Sequence, residues 1–268
     1  MLTKPHLIVP VIMNLNDENW LSFCLLSLSG FFNRYVIYDI GSTDRSKEII
    51  DWFVQKEKHN ADFVVKYLPF VDPIVQGSLR NSMFQEANAD WNFMVDSDEI
   101  YKPEDLRNLL LHVSNLTPER HYGIVRRVEV CEFAVGRAIQ FPNEVWKSEV
   151  ALNKAYGMID ELKHHRLYHH TTYASGPHPG ETFDAPKQKD STEFWVPNVT
   201  CYHFHSTYRS SRDKDVPKRI ERRSQSTYHR GPLLPFDALK ELPILRHGIE
   251  DFPLNPSLQA LQEKRIGR

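Results

Sequence analysis

The stretch Trp91-Asn92-Phe93-Met94-Val95-Asp96-Ser97-Asp98-Glu99 is a short, largely apolar run that stops at three carboxylates. An apolar run of about four to eight residues suits a buried strand of a covered sheet. Charges at its carboxyl end fall where open α/β sheets bind ligands, in the crevice beyond the strand ends. Asp96 and Asp98 are two residues apart, and in a regular strand they point the same way. Two such carboxylates can grip one hard divalent cation, of the kind shared with substrate phosphates. The same residues also suit a solvated acidic turn.

The residues before this stretch show what kind of sheet it belongs to. His6 to Met13 is a first strand, weakened by Pro10, which has no N–H for a ladder. Asn14 to Asn19 is a polar loop in which Asn16 or Asp17 can cap a helix running from Trp20 to Leu28. Tyr35 to Tyr38 is a second strand that ends at Asp39. Gly41-Ser42-Thr43-Asp44 is a turn leading into a helix from Ser46 to Val54. Phe63 to Tyr67 is a third strand, and Gly77 to Ala89 a helix. Strands and helices alternate, which predicts a parallel sheet with right-handed crossovers. Polar groups then collect beyond the strand ends: Asn16 and Glu18, Asp39 and Asp44, Asp96 and Asp98. An edge of that kind suits a nucleotide and a metal. Asn16 and Asp44 serve equally as helix caps, and Asp39 as a turn residue.

After the stretch, Lys102 to Val113 has helical spacing with Pro103 in its first turn. Tyr122 to Val130 reads as a further strand, and Arg137 to Pro142 as its partner or a loop. Histidines then gather: His164, His165, His169, His170, His178, His203 and His205. The first four read as loop or surface residues. Alternation in Tyr202-His203-Phe204-His205 puts both of its histidines on one face, where one can complete a metal's shell. Lys218, Arg219, Arg222 and Arg223 share a helical face, as a solvated surface or as a clamp on an anion. Glu181, Asp184 and His178 offer groups able to act as a general base, in that order of preference.

Asn16-Asp17-Glu18, Leu25-Leu26-Ser27-Leu28 and Val36-Ile37-Tyr38-Asp39-Ile40-Gly41-Ser42-Thr43-Asp44 follow one another as in a known family. Arg80-Asn81 on the next helix and Asp96-Ser97-Asp98-Glu99 continue the pattern. From about Leu7 to Leu110 the chain resembles family 2 glycosyltransferases, which have the GT-A fold. One departure is Ile40, where the family carries a second acidic residue beside Asp39. The resemblance implies an α/β, Rossmann-like, mostly parallel sheet flanked by helices, with a loop-rich acceptor side. It implies an inverting, metal-dependent enzyme that uses Mn²⁺ or Mg²⁺ and moves a sugar from a nucleotide-sugar donor, a UDP-sugar, to a hydroxyl acceptor. Asn16 and Glu18 would line the donor site, Asp39 would contact the nucleobase, and Arg80 the base or diphosphate. Asp96 would reach the ribose or metal, and Asp98 the metal, with His203 or His205 beside them. Arg166-Leu167-Tyr168 and Ser175 to Glu181 resemble a later segment of one branch of the family, with Pro179 and Gly180 interrupting it.

The whole chain bounds these readings. Its 268 residues suffice for one large domain, and a net charge of −2 does not favour nucleic acid as a partner. We expect a nucleotide-sugar half over residues 1–115, an acceptor half over 116–208 and a helical, proline-rich extension over 209–268. The 3 cysteines are far apart and show no metal or disulfide spacing, which suits a reducing, cytoplasmic setting. The sequence has no apolar run near 18 residues. The acceptor is open between a glycan, a lipid-linked and another hydroxyl. A nucleotidyltransferase is the weaker enzyme reading, because Asn14 to Asn19 holds no glycine or basic residue. A non-catalytic nucleotide- or carbohydrate-binding module is the alternative from a different class.

Overall fold

The computed structural model describes residues 6–71, 75–116, 122–131, 156–169, 193–206 and 233–235, with positions 210, 242 and 244. In its first half β1 (Ile8–Asn14), α1 (Leu21–Leu28), β2 (Arg34–Asp39), α2 (Ser46–Glu57), β3 (Asp62–Tyr67), α3 (Gln76–Ala87) and β4 (Trp91–Asp96) alternate as expected. The four strands pair in parallel in the order β3-β2-β1-β4. β1, β2 and β4 are covered on both faces and largely apolar rather than alternating, while β3, at the sheet edge, is partly exposed. Ile8 and Ile12 of β1 pack into one core with Leu21, Leu25, Phe53 and Leu109, while Val9 and Val11 pack into the other with Met83, Phe84 and Met94. Each such side chain contributes roughly 1.5–3 kcal/mol on burial.

Pro10 sits inside this central strand without cost to the ladder. Asn14 directs its carbonyl to the β2 side, accepting from Ile40 N–H at 3.0 Å, and Pro10 shares its parity. The β1–β2 register begins only at Val11↔Val36, so the missing donor falls at the edge of that ladder. Helix α3 stops at Ala87 rather than Ala89, because Asn88 takes a left-handed conformation, φ 45°.

The second half adds β5 (Glu99–Tyr101), α4 (Pro103–Ser114), β6 (Tyr122–Cys131), β7 (Tyr156–His169), β8 (Glu193–Ser206) and β9 (Leu233–Pro235). These strands extend the same sheet as β4-β7-β6-β8-β5, with β9 on β7. Here the pairing is mixed: β6 and β8 are parallel, the remainder antiparallel. His164, His165 and His169, expected in loops, lie in β7. Their segment has no clean alternation, and pairing with β6 and β4 makes it a strand. His170 and the Arg137 to Pro142 segment fall outside the described residues. Among the described residues, no helix is long and apolar enough to cross a membrane.

Asp105, in the first turn of α4, is buried against β8 and keeps one carboxylate oxygen without a hydrogen-bond partner among the described residues. Burial pushes its carboxyl up to about 6; Glu104 adds to the push, while Lys102 and backbone groups of Lys102 and Thr200 oppose it. An acid whose pKa rises on folding holds its proton longer in the folded state. Its contribution is therefore present at low pH and lost as pH rises through about 6. Asp105→Asn should be the more stable protein above pH 6, by about 2 kcal/mol, with the advantage shrinking towards pH 4. Denaturant unfolding of both proteins across that range measures the difference; an advantage independent of pH refutes it.

Candidate active site

The loops after β1, β2 and β4 meet at the carboxyl edge of the sheet. Asp39 ends β2 and is nearly buried. Its Oδ1 accepts the backbone N–H groups of Gly41 at 3.2 Å and Ser42 at 2.9 Å, and its Oδ2 accepts Asn14 Nδ2 at 2.7 Å. Ser42 Oγ also accepts from Asn14 Nδ2, at 3.1 Å, and from the backbone N–H of Asn16, at 2.8 Å. Asp39 therefore ties β1, β2 and the turn after β2 together. Gly41 has φ 103°, and a Cβ there would lie 2.4 Å from the backbone N and Cα of Phe70. Only glycine meets both conditions.

Asn16 turns back on this structure. It takes φ 51° and its Oδ1 accepts Thr43 N–H at 2.8 Å. The expected helix cap at Asn16 or Asp17 is replaced by the Asp17 main-chain carbonyl, which accepts Trp20 N–H at 3.0 Å and Leu21 N–H at 2.9 Å. Asp44 does hold a helix start: Oδ1 accepts Ser46 N–H at 2.9 Å, and Oδ2 accepts Glu18 N–H at 3.2 Å. Glu18, also nearly buried, accepts Arg45 N–H at 3.1 Å and Ser210 Oγ–H at 3.4 Å.

At the end of β4 the strand period does not carry through to Asp98. Ser97 and Asp98 form a turn, and Glu99 opens β5. Asp96 is partly exposed, and Asp98 is buried. Both stand at the strand ends rather than splayed on open surface. Asp96 Oδ1 accepts Arg80 Nη2 at 3.2 Å, so the α3 arginine reaches the acidic turn. Asp98 Oδ1 lies 3.3 Å from His203 Nε2, and the Asp98 carbonyl accepts Phe204 N–H at 2.9 Å.

Glu99 is the residue whose place the sequence reading left unassigned. It pairs directly with His203 across the β5–β8 ladder. Side chains opposite one another in an antiparallel pair stand about 5 Å apart on one face. Ligand atoms of Asp96, Glu99 and His203 accordingly come within 4.8 Å of one another, a group that can hold a metal ion. Glu99 Oε2 is fixed by Asp96 N–H and Tyr101 Oη, both at 3.2 Å. The signal in the sequence was its place in Asp96-Ser97-Asp98-Glu99; the short strand that aims it was not visible there. Below the turn lies the Cys24 thiol. Its pKa is pushed well up by burial and then by Glu99, Asp98, Asp17 and Asp96. It stays protonated and is no nucleophile. His205 lies in β8, but its side chain, like Glu181, Asp184 and His178, is outside the described residues.

An α/β sheet with this order and these acidic strand ends is of the GT-A type. A family model described as "Glycosyl transferase family 2" matches residues 8–175, and the chain belongs to that family of glycosyltransferases. No curated protein matches the chain by sequence. Among solved structures it is similar to the mannosyltransferase PcManGT from Pyrobaculum calidifontis in complex with GDP-Man and Mn²⁺, at 13% identity and TM-score 0.49, over 98% of this chain and 70% of that one. It is also similar to S. aureus TarS 1-349 in complex with UDP, at 13% identity and TM-score 0.47, over 97% of this chain and 92% of that one. Against the longer S. aureus TarS structure, at 14% identity and TM-score 0.44, the match covers 91% of this chain but 43% of that one.

Two stability predictions come from the Asp39 cluster. Asp39→Ala orphans two backbone N–H groups and the Asn14 amide, and should cost about 3 kcal/mol; Asp39→Asn, which keeps one acceptor oxygen, should cost less. Equal losses in denaturant unfolding would refute this. Gly41→Ala should cost about 3 kcal/mol by strain and overlap, seen as a lowered unfolding midpoint, and an unchanged midpoint would count against the Phe70 contact.

Proposed function

We propose that the chain transfers a sugar from a nucleotide-sugar, a UDP-sugar, to a hydroxyl of a glycan, lipid-linked or other acceptor. The transfer depends on a divalent metal and inverts the sugar carbon. The observation that carries this reading is the convergence of Asp96, Glu99 and His203 within 4.8 Å at the ends of β4, β5 and β8. Two carboxylates suit Mn²⁺ or Mg²⁺, and an imidazole beside them leans towards Mn²⁺. When bound, such an ion neutralises the charge that develops on a leaving diphosphate.

The chain's own groups do the remaining work. Asp98 stands behind His203 and fixes the orientation of its ring, as partners of metal-binding histidines do. Arg80 brings a permanent charge to the same edge, with its guanidinium already held by Asp96. Asp39, locked by three donors, offers its remaining acceptor capacity to the nucleobase, and Asn16 and Glu18 frame the donor loop. Glu181 or Asp184, from the acceptor half over residues 116–208, takes the proton of the attacking hydroxyl. His205 is held as a further candidate ligand. Cys24 and Cys201 are buried thiols, which suits a reducing compartment, and we place the reaction in the cytoplasm.

A panel of nucleotide-sugars incubated with Mn²⁺ or with a chelator tests this. At least one UDP-sugar should be turned over with metal and not without it. Asp96→Asn, Glu99→Gln and His203→Gln should each lower that turnover by about 100-fold or more, measured on protein shown to be folded. Turnover unaffected by the chelator or by these changes would refute the metal assignment. Donor binding without turnover in any combination would make the chain a binding module.

A further inference from the structure

The proposed metal set draws on segments far apart in the chain, and one hydrogen bond joins them to the first loop. Ser97 Oγ donates to Asp17 Oδ2, between residues 80 positions apart. Ser97 sits between Asp96 and Asp98 in the turn that joins β4 to β5. Asp17 sits in the loop after β1. Both are buried, at 2% and 0% exposure. Strands β1 and β4 are neighbours, and the strand order reverses between them. The bond thus bridges the two loops that flank the point where sheets of this type bind ligands.

The Asp17 end of the bridge is itself anchored. Its N–H donates to Ser46 Oγ at 3.2 Å, at the start of α2. Its carbonyl receives the first two N–H groups of the α1 turn, from Trp20 and Leu21. Cys24 Sγ adds a weaker tie from α1 to the Asp96 carbonyl, at 3.5 Å. Trp20 stacks on Phe204, beside His203, at 4.1 Å. At the other end, Ser97 lies in the two-residue turn between β4 and β5, next to Asp96 and Asp98. An ionised acceptor makes the stronger hydrogen bond, which is a physical reason to spend a carboxylate here.

We propose that Asp17 is a positioning residue for the metal site. Its carboxylate sets the Ser97 turn, and the turn sets the separation of Asp96 from Glu99. Asp17 is not one of the three converging residues, so it acts through Ser97 rather than as a ligand. The proposal rests on the metal reading above.

The test uses the full chain with Ser97→Ala, Asp17→Ala, both together, and Ser97→Thr, which keeps the hydroxyl. Mn²⁺ alone is titrated calorimetrically into each, and amide hydrogen exchange is followed over residues 96–99 without metal. Each of the first two changes should weaken Mn²⁺ binding by about 10- to 100-fold, the usual effect of losing a residue behind the ligands. The double variant should be no weaker than the weaker single, because both remove the same bond. Ser97→Thr should recover most of the affinity. Exchange over residues 96–99 should quicken in Ser97→Ala and Asp17→Ala while β1 and β2 stay protected. Wild-type affinity in both single variants, or losses that multiply in the double, would overturn the proposal. If the unaltered chain binds no Mn²⁺, the metal reading fails by itself. The positioning role for a metal falls with it, and the exchange data show separately whether Asp17 orders the Ser97 turn.

Discussion

Carboxylates held against one another are the constraint on which this structure turns. Asp17, Asp96, Asp98 and Glu99 all lie close enough to raise the pKa of the Cys24 thiol. Two unit charges about 5 Å apart repel by about 3 kcal/mol at the effective dielectric of a protein edge. A fold that collects them must offset that repulsion locally. It does so with directed donors: Arg80 to Asp96, His203 to Asp98, Ser97 to Asp17, and Tyr101 with the Asp96 amide to Glu99. A divalent cation would offset it further, which is why the acidic edge reads as a site rather than as a fault.

The parallel half supplies the rigid frame for these groups. Strands β1, β2 and β4 are buried on both faces, so their ends are fixed by packing rather than by the loops they carry. Asp39 shows the consequence. It is a site residue by resemblance, yet three of its hydrogen bonds are structural and hold β1 to the turn after β2. Arrangement of the strand-end loops and stability of the frame are therefore served by the same side chain. The mixed half contributes differently: it brings β8 to β5, and with it an imidazole to a carboxylate.

Much of this was legible in the chain itself. Apolar runs ending in polar clusters gave β1 to β4 and their helices within a few residues, because periodicity and turn chemistry are local properties. The places of Asp39 and Asp96 at the ends of β2 and β4 were legible for the same reason, whereas Arg80 was singled out by resemblance alone. Pro10 argued wrongly against a central strand, since only the pairing reveals that its missing donor lies beyond the β2 ladder. Strand β7 was missed in its extent because its sequence alternates poorly and its pairing makes it extended.

By itself, then, the sequence determined the alternating α/β order, the parallel half and the edge where acidic residues collect, since each follows from neighbours a few positions apart. Tertiary structure alone decided which side chains come together. Asp96 and Asp98 are two residues apart yet face different surroundings, because a turn breaks the strand period between them. Glu99 meets His203, and Ser97 meets Asp17, only when distant strands come into register. Register is set by packing and ladder pairing over the whole sheet, and no local pattern encodes it.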